Sequence, residues 1–298
     1  MDIKKPIAII KDHLQSLFQK TLQPTFKKIV PFFSQVFSQA KTFIREQTEN
    51  NTKEQKIKIA IVATLSIVVL TPILLPASPK VPDFSEYPAG EKRKQEFFTF
   101  LLPHISERNE EILNTRQKLL ALQEKKDKLN WFQKNKVKKL AAEYNIEEFS
   151  PENKNHWDSL LRRVDVVPPS LALAQAANES AWGTSRFARE GNNLYGQWCY
   201  TPGCGIVPDA RPTDATYEVA SYKSVTESVE TYIRNLNRNS AYSQLRDIRK
   251  QLRENNDAIS GQQLAAGLLR YSERGEAYIE ELRNMISYNE LGQLDLQL

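Results

Sequence analysis

Apolar positions along this 298-residue chain change their period from one segment to the next. From Ile59 to Ala77 the run IAIVATLSIVVLTPILLPA carries no charge and no polar face. At ~1.5 Å per residue, a helix of about twenty such residues spans the ~30 Å hydrocarbon core of a bilayer. Pro72 and Pro76 fall near the far end, where a helix can stop. The pattern predicts a membrane-spanning helix over 57–77. A buried core helix is the alternative, but few soluble helices are apolar on every face. More than fifty residues precede the run, which argues against a cleaved signal peptide.

Residues 78–90 hold three Pro and a Gly and read as an extended linker. Beyond Glu91 the period becomes helical, with Phe97, Phe98, Leu101, Ile105, Ile112, Leu119 and Leu120 among many charges. A long helix, or a pair broken near Pro103, is expected there, then a second helix from Trp131 to Tyr144. Residues 91–149 thus form an accessory helical region, and Phe97, Phe98, Trp131 and Phe132 need cover. From Ser150 helices alternate with short Gly-containing turns. Pro168-Pro169 opens a helix whose body is SLALAQAANESAW, with Gly183 suited to its end. A short helix around Ser185–Arg189 stops at Gly191. Residues 191–224 have strand and turn chemistry and read as a small hairpin lobe. Ser224 with Glu227, and Ser260 with Gln263, are capping-box patterns opening helices Val225–Arg238 and Gln262–Tyr271. Helices at Tyr242–Arg253 and Glu276–Tyr288 complete an α+β, mainly α domain over 150–292.

Charge refines this division. Residues 1–58 hold eleven Lys/Arg and five acids, net +6, which leaves −1 of the overall +5 for the rest. The basic balance belongs to the N-terminal arm, so it does not mark a nucleic-acid binder. Basic residues alternate with Ile, Leu and Phe through 1–56, the pattern of an amphipathic helix on an anionic leaflet; a partner-binding or disordered arm is the alternative. Lys53, Lys56 and Lys58 flank the apolar run on its N-terminal side. The positive-inside rule then puts the N-terminus in the cytoplasm and residues 78–298 outside, as a single-pass inner-membrane protein with a periplasmic domain. Two Cys exclude a disulfide-framework scaffold and a four-Cys zinc site, and three His leave little for a metal centre. No metal or cofactor is expected.

The candidate chemistry begins at Glu179, which closes an Ala-rich helix. On helical spacing it shares a face with Gln175, Ala176 and Trp182. A carboxyl between apolar walls and an indole is desolvated, which raises its pKa and suits a general acid for glycosidic cleavage. A solvated glutamate is the alternative, disfavoured at the negative end of a helix dipole.

The surrounding string LALAQAANESAWGTSRFAREGNNLYG closely resembles the glucosaminidase domain of glycoside hydrolase family 73. With FFTFLLPHI, LLRRVDVVPPS and YSERGEAYIEEL it is most similar to that family's Bax-like branch, over roughly residues 92–290. The resemblance implies a lysozyme-like fold, hydrolysis of the β-1,4 bond after N-acetylglucosamine in peptidoglycan, and Glu179 as general acid. It also implies a second carboxylate in the β lobe. Glu218, Asp214 and Asp209 are candidates, with Glu218 preferred. A cleft tyrosine is implied too, for which Tyr271 is chosen over Tyr278. The remaining cleft wall is expected from Gln175, Trp182, Asn192, Asn193, Tyr195, Gln197, Trp198 and Tyr278, since sugars present apolar faces and fixed hydroxyls.

Cys199 and Cys204 could join in an oxidising compartment and pin the lobe turn. The rival is a Cys nucleophile with His104 or His156. The sequence thus predicts a membrane-anchored peptidoglycan hydrolase, an endo-β-N-acetylglucosaminidase whose partners are glycan strands and the inner membrane. Its rivals are a lytic transglycosylase and a non-catalytic wall-binding scaffold. No protein partner is legible.

Overall fold

The computed structural model describes residues 81–297. The arm at 1–56 and the expected span at 57–77 lie outside the described residues. Among the described residues no helix is long and apolar enough to cross a membrane.

Helix α1, Glu91–Gln123, is continuous through Pro103. An interior proline removes a backbone hydrogen bond and costs about 3 kcal/mol. Phe97, Leu101, Ile105, Ile112 and Leu119 are all buried along one stripe, at roughly 1.5–3 kcal/mol each. Packing outweighs the proline, so of the two expected forms the single long helix is the one that forms. Asn109 fastens the middle of α1, its amide donating to the Val167 carbonyl (2.8 Å) and its oxygen accepting from the Val167 N–H (3.1 Å).

Helix α2, Trp131–Glu143, starts at a capping box between Asn130 and Gln133. Trp131 and Phe132, expected under cover, are 68% and 77% exposed and pack only edge to face on each other. Helix α3, Lys154–Arg163, was not expected from the sequence: three apolar residues, Trp157, Leu160 and Leu161, carry its buried face.

Helix α4, Pro169–Glu179, is buried at every position from Pro169 to Ala177. Pro168 offers no side-chain cap. Asp295, in the closing 3₁₀ turn Leu291–Gln297, supplies one from afar. Its carboxylate accepts from the Ser170 N–H (3.0 Å), the Ser170 hydroxyl (2.6 Å) and the Gly261 N–H (2.9 Å). The domain expected to end at residue 292 therefore draws on a residue beyond it.

Helix α5, Arg186–Gly191, leads into the lobe. Strands β1 (Trp198–Cys199), β2 (Gly205–Ile206) and β3 (Glu218–Ala220) form an antiparallel sheet in the order β1-β3-β2. Helices α6 (Val225–Arg238) and α7 (Ser243–Glu254) follow. Ser224 caps α6 as the sequence predicts, accepting from the Glu227 N–H (3.1 Å). The helix expected over 262–271 splits into α8, Gly261–Leu264, and a 3₁₀ turn, Ala265–Leu268, and Ser260 makes no side-chain cap. Helix α9, Glu276–Tyr288, completes the helical set. Helices α1, α8 and α9 and the closing turn all pack on α4. Residues 91–149 and the residues after 150 share this one core.

Just before α4, Asp165 is 2% exposed. Arg253 binds both its oxygens at 2.6 Å, with Arg116 at 3.4 Å and Arg249 at 3.8 Å. Burial by itself would raise the pKa of this carboxyl. Arg249, Arg253 and Arg116 outweigh it and hold the group below its ordinary value. The stability this contributes is present above the unfolded-state value of about 3.9 and is lost as pH falls through the folded one. Asp165→Asn leaves three guanidiniums without their anion and should cost about 3 kcal/mol or more. Urea unfolding at pH 7 should show that loss, and the gap to the wild-type chain should narrow below pH ~4.

Candidate active site

Helix α4 ends at Glu179, and the next few residues turn the chain sharply. Ala181, Trp182 and Gly183 all adopt left-handed backbone, with φ of 50°, 60° and 76°. For non-glycine residues this costs of order 1 kcal/mol or more each. Ser180 stabilises the turn: its buried hydroxyl donates to the Ala176 carbonyl (2.6 Å) and accepts from the Gly183 N–H (2.8 Å). A Cβ on Gly183 would lie 2.4 Å from the Phe84 ring, so only glycine fits there.

Because the helix stops at 179, Trp182 does not continue the face of Glu179. Its indole packs edge to face on Phe97 and Phe98 of α1 at 5.9 and 5.4 Å, with the Lys94 ammonium 5.7 Å from the ring. The indole wall expected beside the acid is thus part of the aromatic cluster on α1.

The surroundings of Glu179 come instead from a group of tyrosines. The Tyr278 hydroxyl, on α9, donates to Oε1 of Glu179 at 2.8 Å. On the other side lies Gly196, with φ +62°, where a Cβ would sit 3.4 Å from Oε2. Among the described residues no hydrogen bond reaches Oε2. The carboxyl therefore has one braced oxygen and one open oxygen. Burial pushes its pKa above the ordinary carboxylate value, and the nearby Glu281 adds to this. The Tyr278 hydrogen bond and Arg274 act in the opposite direction. Arg274 and Glu281 are themselves paired at 2.7 Å.

The two tyrosines meet different partners. Tyr271, which the sequence offers as the catalytic group, donates its hydroxyl to the Tyr195 carbonyl (3.0 Å) and stacks on Tyr278 at 5.6 Å. Tyr278, expected only as a sugar contact, is the one on the acid. Tyr195 is buried and stacks on Tyr232 at 3.8 Å. Gln175 is fully buried behind the acid and faces Tyr278 and Tyr232.

Glu218 also differs from expectation. One carboxylate oxygen accepts from the Gly203 N–H (3.0 Å) and the other from the Gly205 N–H (2.8 Å). These bonds, Gly203 first, lower its pKa and hold it ionised. Both oxygens tie down the turn between β1 and β2, beside the Cys199–Cys204 disulfide. Each oxygen of this carboxylate thus has a backbone partner in the lobe. Asp209 is exposed and paired with Arg186 at 3.1 Å, and Asp214 is exposed too.

The amides expected in the cleft wall hold the lobe together instead. Asn193 is 1% exposed; it donates to the Gln197 and Ala220 carbonyls and accepts from the Tyr195 and Gln197 N–H groups. Asn192 has left-handed backbone and donates to the Tyr222 carbonyl. The Gln197 side chain accepts from the Tyr222 hydroxyl. Trp198 stays open: it is 56% exposed and lies flat on Tyr217 at 4.4 Å. Aromatic faces of this kind suit the apolar face of a sugar ring. The Cys nucleophile has no basis here, since both sulfurs are joined. His156 accepts from the Ser150 N–H, and His104 pairs with Thr226.

Sequence reasoning missed Tyr232, Arg274 and Glu281. The signal for Tyr232 was present: with Val225, Val229 and Leu236 it makes the buried stripe of α6, so its hydroxyl had to find a partner inside.

The folded state holds a proton on Glu179 to higher pH than the unfolded chain does. Its contribution to stability is therefore present below the ordinary carboxylate range and is lost as pH rises through the folded value. Glu179→Gln should raise Tm at pH 8 and change it less at pH 4; thermal unfolding at the two pH values checks this.

A family model described as mannosyl-glycoprotein endo-beta-N-acetylglucosaminidase matches residues 154–291. Protein bax from Escherichia coli (strain K12) is 34% identical over 218 residues, 72% of this chain and 76% of that protein. The crystal structure of the catalytic domain of the autolysin Auto from Listeria monocytogenes is 20% identical and covers 70% of this chain and 92% of that one, with a TM-score of 0.37. At that score the likeness adds nothing to the fold described above.

Proposed function

This chain belongs to the glucosaminidase-domain family, in its Bax-like branch, and on that premise we propose that it is a peptidoglycan hydrolase, an endo-β-N-acetylglucosaminidase with Glu179 as general acid. The observation that carries the assignment is the two-sided environment of Glu179. Oε1 is braced by Tyr278, while Oε2 is open beside Gly196. Burial keeps the carboxyl protonated above its ordinary range. A proton on Oε2 is placed to pass to the leaving glycosidic oxygen.

Glu218 is engaged on both oxygens, so the attacking group falls to the substrate. In this reading the carbonyl oxygen of the substrate's 2-acetamido group attacks the anomeric carbon. The C1–O bond breaks, its electrons go to the leaving oxygen, and that oxygen takes the Glu179 proton. Water then opens the resulting oxazolinium ion, which still carries its N–H, and gives its proton back to Glu179, with net retention. The open face of Trp198 on the lobe offers a surface for a neighbouring sugar ring.

The apolar run at 57–77 supports a membrane-anchored enzyme with its catalytic domain on the periplasmic side. The Cys199–Cys204 disulfide suits that oxidising compartment.

Mass spectrometry of peptidoglycan digested by the chain tests the reading. Products with reducing-end N-acetylglucosamine are expected, and Glu179→Gln should lower their yield about 10³-fold. Anhydro-muramyl ends would instead assign a lytic transglycosylase, which also needs only one carboxylate. Released stem peptides would remove the glycosidase assignment.

A further inference from the structure

We propose that Gln175 and Tyr232 are positioning residues for the acid: a buried chain of hydrogen bonds, Tyr232 to Gln175 to Tyr278, obliges the Tyr278 hydroxyl to donate to Oε1 of Glu179. This rests on the reading of Glu179 as the acid.

The three side chains come from three helices. Gln175 lies one turn before Glu179 on α4 and is fully buried, as is Tyr232 on α6; Tyr278 on α9 is 1% exposed. The Tyr232 hydroxyl donates to Oε1 of Gln175 at 2.6 Å. Nε2 of Gln175 donates to the Tyr278 oxygen at 3.0 Å. The Tyr278 hydroxyl donates to Glu179 at 2.8 Å.

Valence fixes the direction. An amide oxygen only accepts, so Tyr232 must donate to it. An amide nitrogen only donates, so the Tyr278 oxygen accepts and its single proton must go elsewhere. The remaining partner is Oε1 of Glu179. Turning the amide over would set its N–H against the Tyr232 oxygen and take away the acceptor that the Tyr232 hydroxyl has at 2.6 Å. It would also turn the Tyr278 proton to the amide, leaving the carboxylate that forms on proton transfer without this donor.

All three bonds therefore run toward one oxygen. Oε1 is the accepting side, which leaves the transferable proton to Oε2. As that proton leaves during bond cleavage, negative charge grows on the carboxylate, and the chain is already aimed at it. The benefit is larger in the transition state than in the ground state, which is what raises kcat.

Other groups facing the acid set the background. Glu281 on α9 disfavours its ionisation; Arg274, in the turn before α9, favours it. Tyr271 donates away to the Tyr195 carbonyl. Burial first, and the acid's charge after it, raise the pKa of Tyr242, Tyr271 and Tyr278, so these phenols stay protonated.

The test is the pH dependence of kcat/KM and kcat for the full-length chain on peptidoglycan, in Tyr278→Phe, Gln175→Met and Tyr232→Phe. Losing a donor to the carboxylate makes Glu179 hold its proton more tightly. The basic limb must then move to higher pH and kcat must fall, with KM little changed. For Tyr278→Phe we expect a shift of about one pH unit and a kcat loss of ~10- to 100-fold. For Gln175→Met we expect about half a unit and ~3- to 10-fold, with a smaller shift of the same sign for Tyr232→Phe. Tyr232→Phe removes one hydroxyl and keeps the ring, so it carries the test if Gln175→Met fails to fold. Basic limbs that coincide with wild type in folded Gln175→Met or Tyr232→Phe would overturn the inference and leave these residues as packing. Glu179→Gln separates the two readings: if that variant still cleaves, the acid assignment itself falls, whatever the relay variants do.

Discussion

Helix α4 has no face to give to water. Pro169 through Ala177 are all buried, so every side of the helix must be covered, and the fold is the set of elements that cover it. Helices α1, α8 and α9 and the closing turn do so. The consequences reach both ends. At the start, buried backbone N–H groups cannot be left to solvent, and Asp295 arrives from 125 positions further along the chain to accept from Ser170. At the finish, the one ionisable residue of the helix emerges among tyrosines, where a carboxyl keeps its proton. One constraint, an apolar helix with a single acid at its end, produces both the core and the acid's chemistry.

The turn after Glu179 shows how the fold converts local strain into placement. Two successive non-glycine residues in left-handed backbone are unfavourable alone. Here they let the chain leave α4 at once and carry Trp182 to Phe97 and Phe98. Ser180 and Gly183 hold that geometry from inside. The acid is held in place because the turn that follows it is fixed on both sides.

The lobe follows a different logic. Its strands are two or three residues long, too short to hold a sheet by ladder bonds alone. Polar side chains make up the difference. Asn193 satisfies four backbone groups, Glu218 two more, and the disulfide closes the same turn. Residues that would look like sugar ligands on a larger sheet serve here as its frame. The aromatic pair Trp198–Tyr217 stays outside, available to a glycan.

Most of the helices, and the partly buried carboxyl that ends α4, were legible from the chain itself. Periodicity placed α1, α2, α4, α6, α7 and α9 to within a few residues, because a buried stripe leaves its spacing in the sequence. Glu179 was legible because a lone acid ending an Ala-rich helix has few ordinary explanations. Where the sequence misled, a partner distant in the chain made the decision. Pro103 left two forms open until the buried stripe of α1 outweighed it, and Trp131 and Phe132 needed a cover that they do not find among the described residues. Glu218 and Tyr271 had the right chemistry for catalysis, but Gly203, Gly205 and the Tyr195 carbonyl took up their polar atoms first. Tyr278 gained the acid because the packing of α9 on α4 brought its hydroxyl there. Residue type and spacing determined which groups could do the chemistry. Only the tertiary structure decided which of them keep a polar atom open, since a hydrogen-bonding group has few valences and its nearest partner in space takes them.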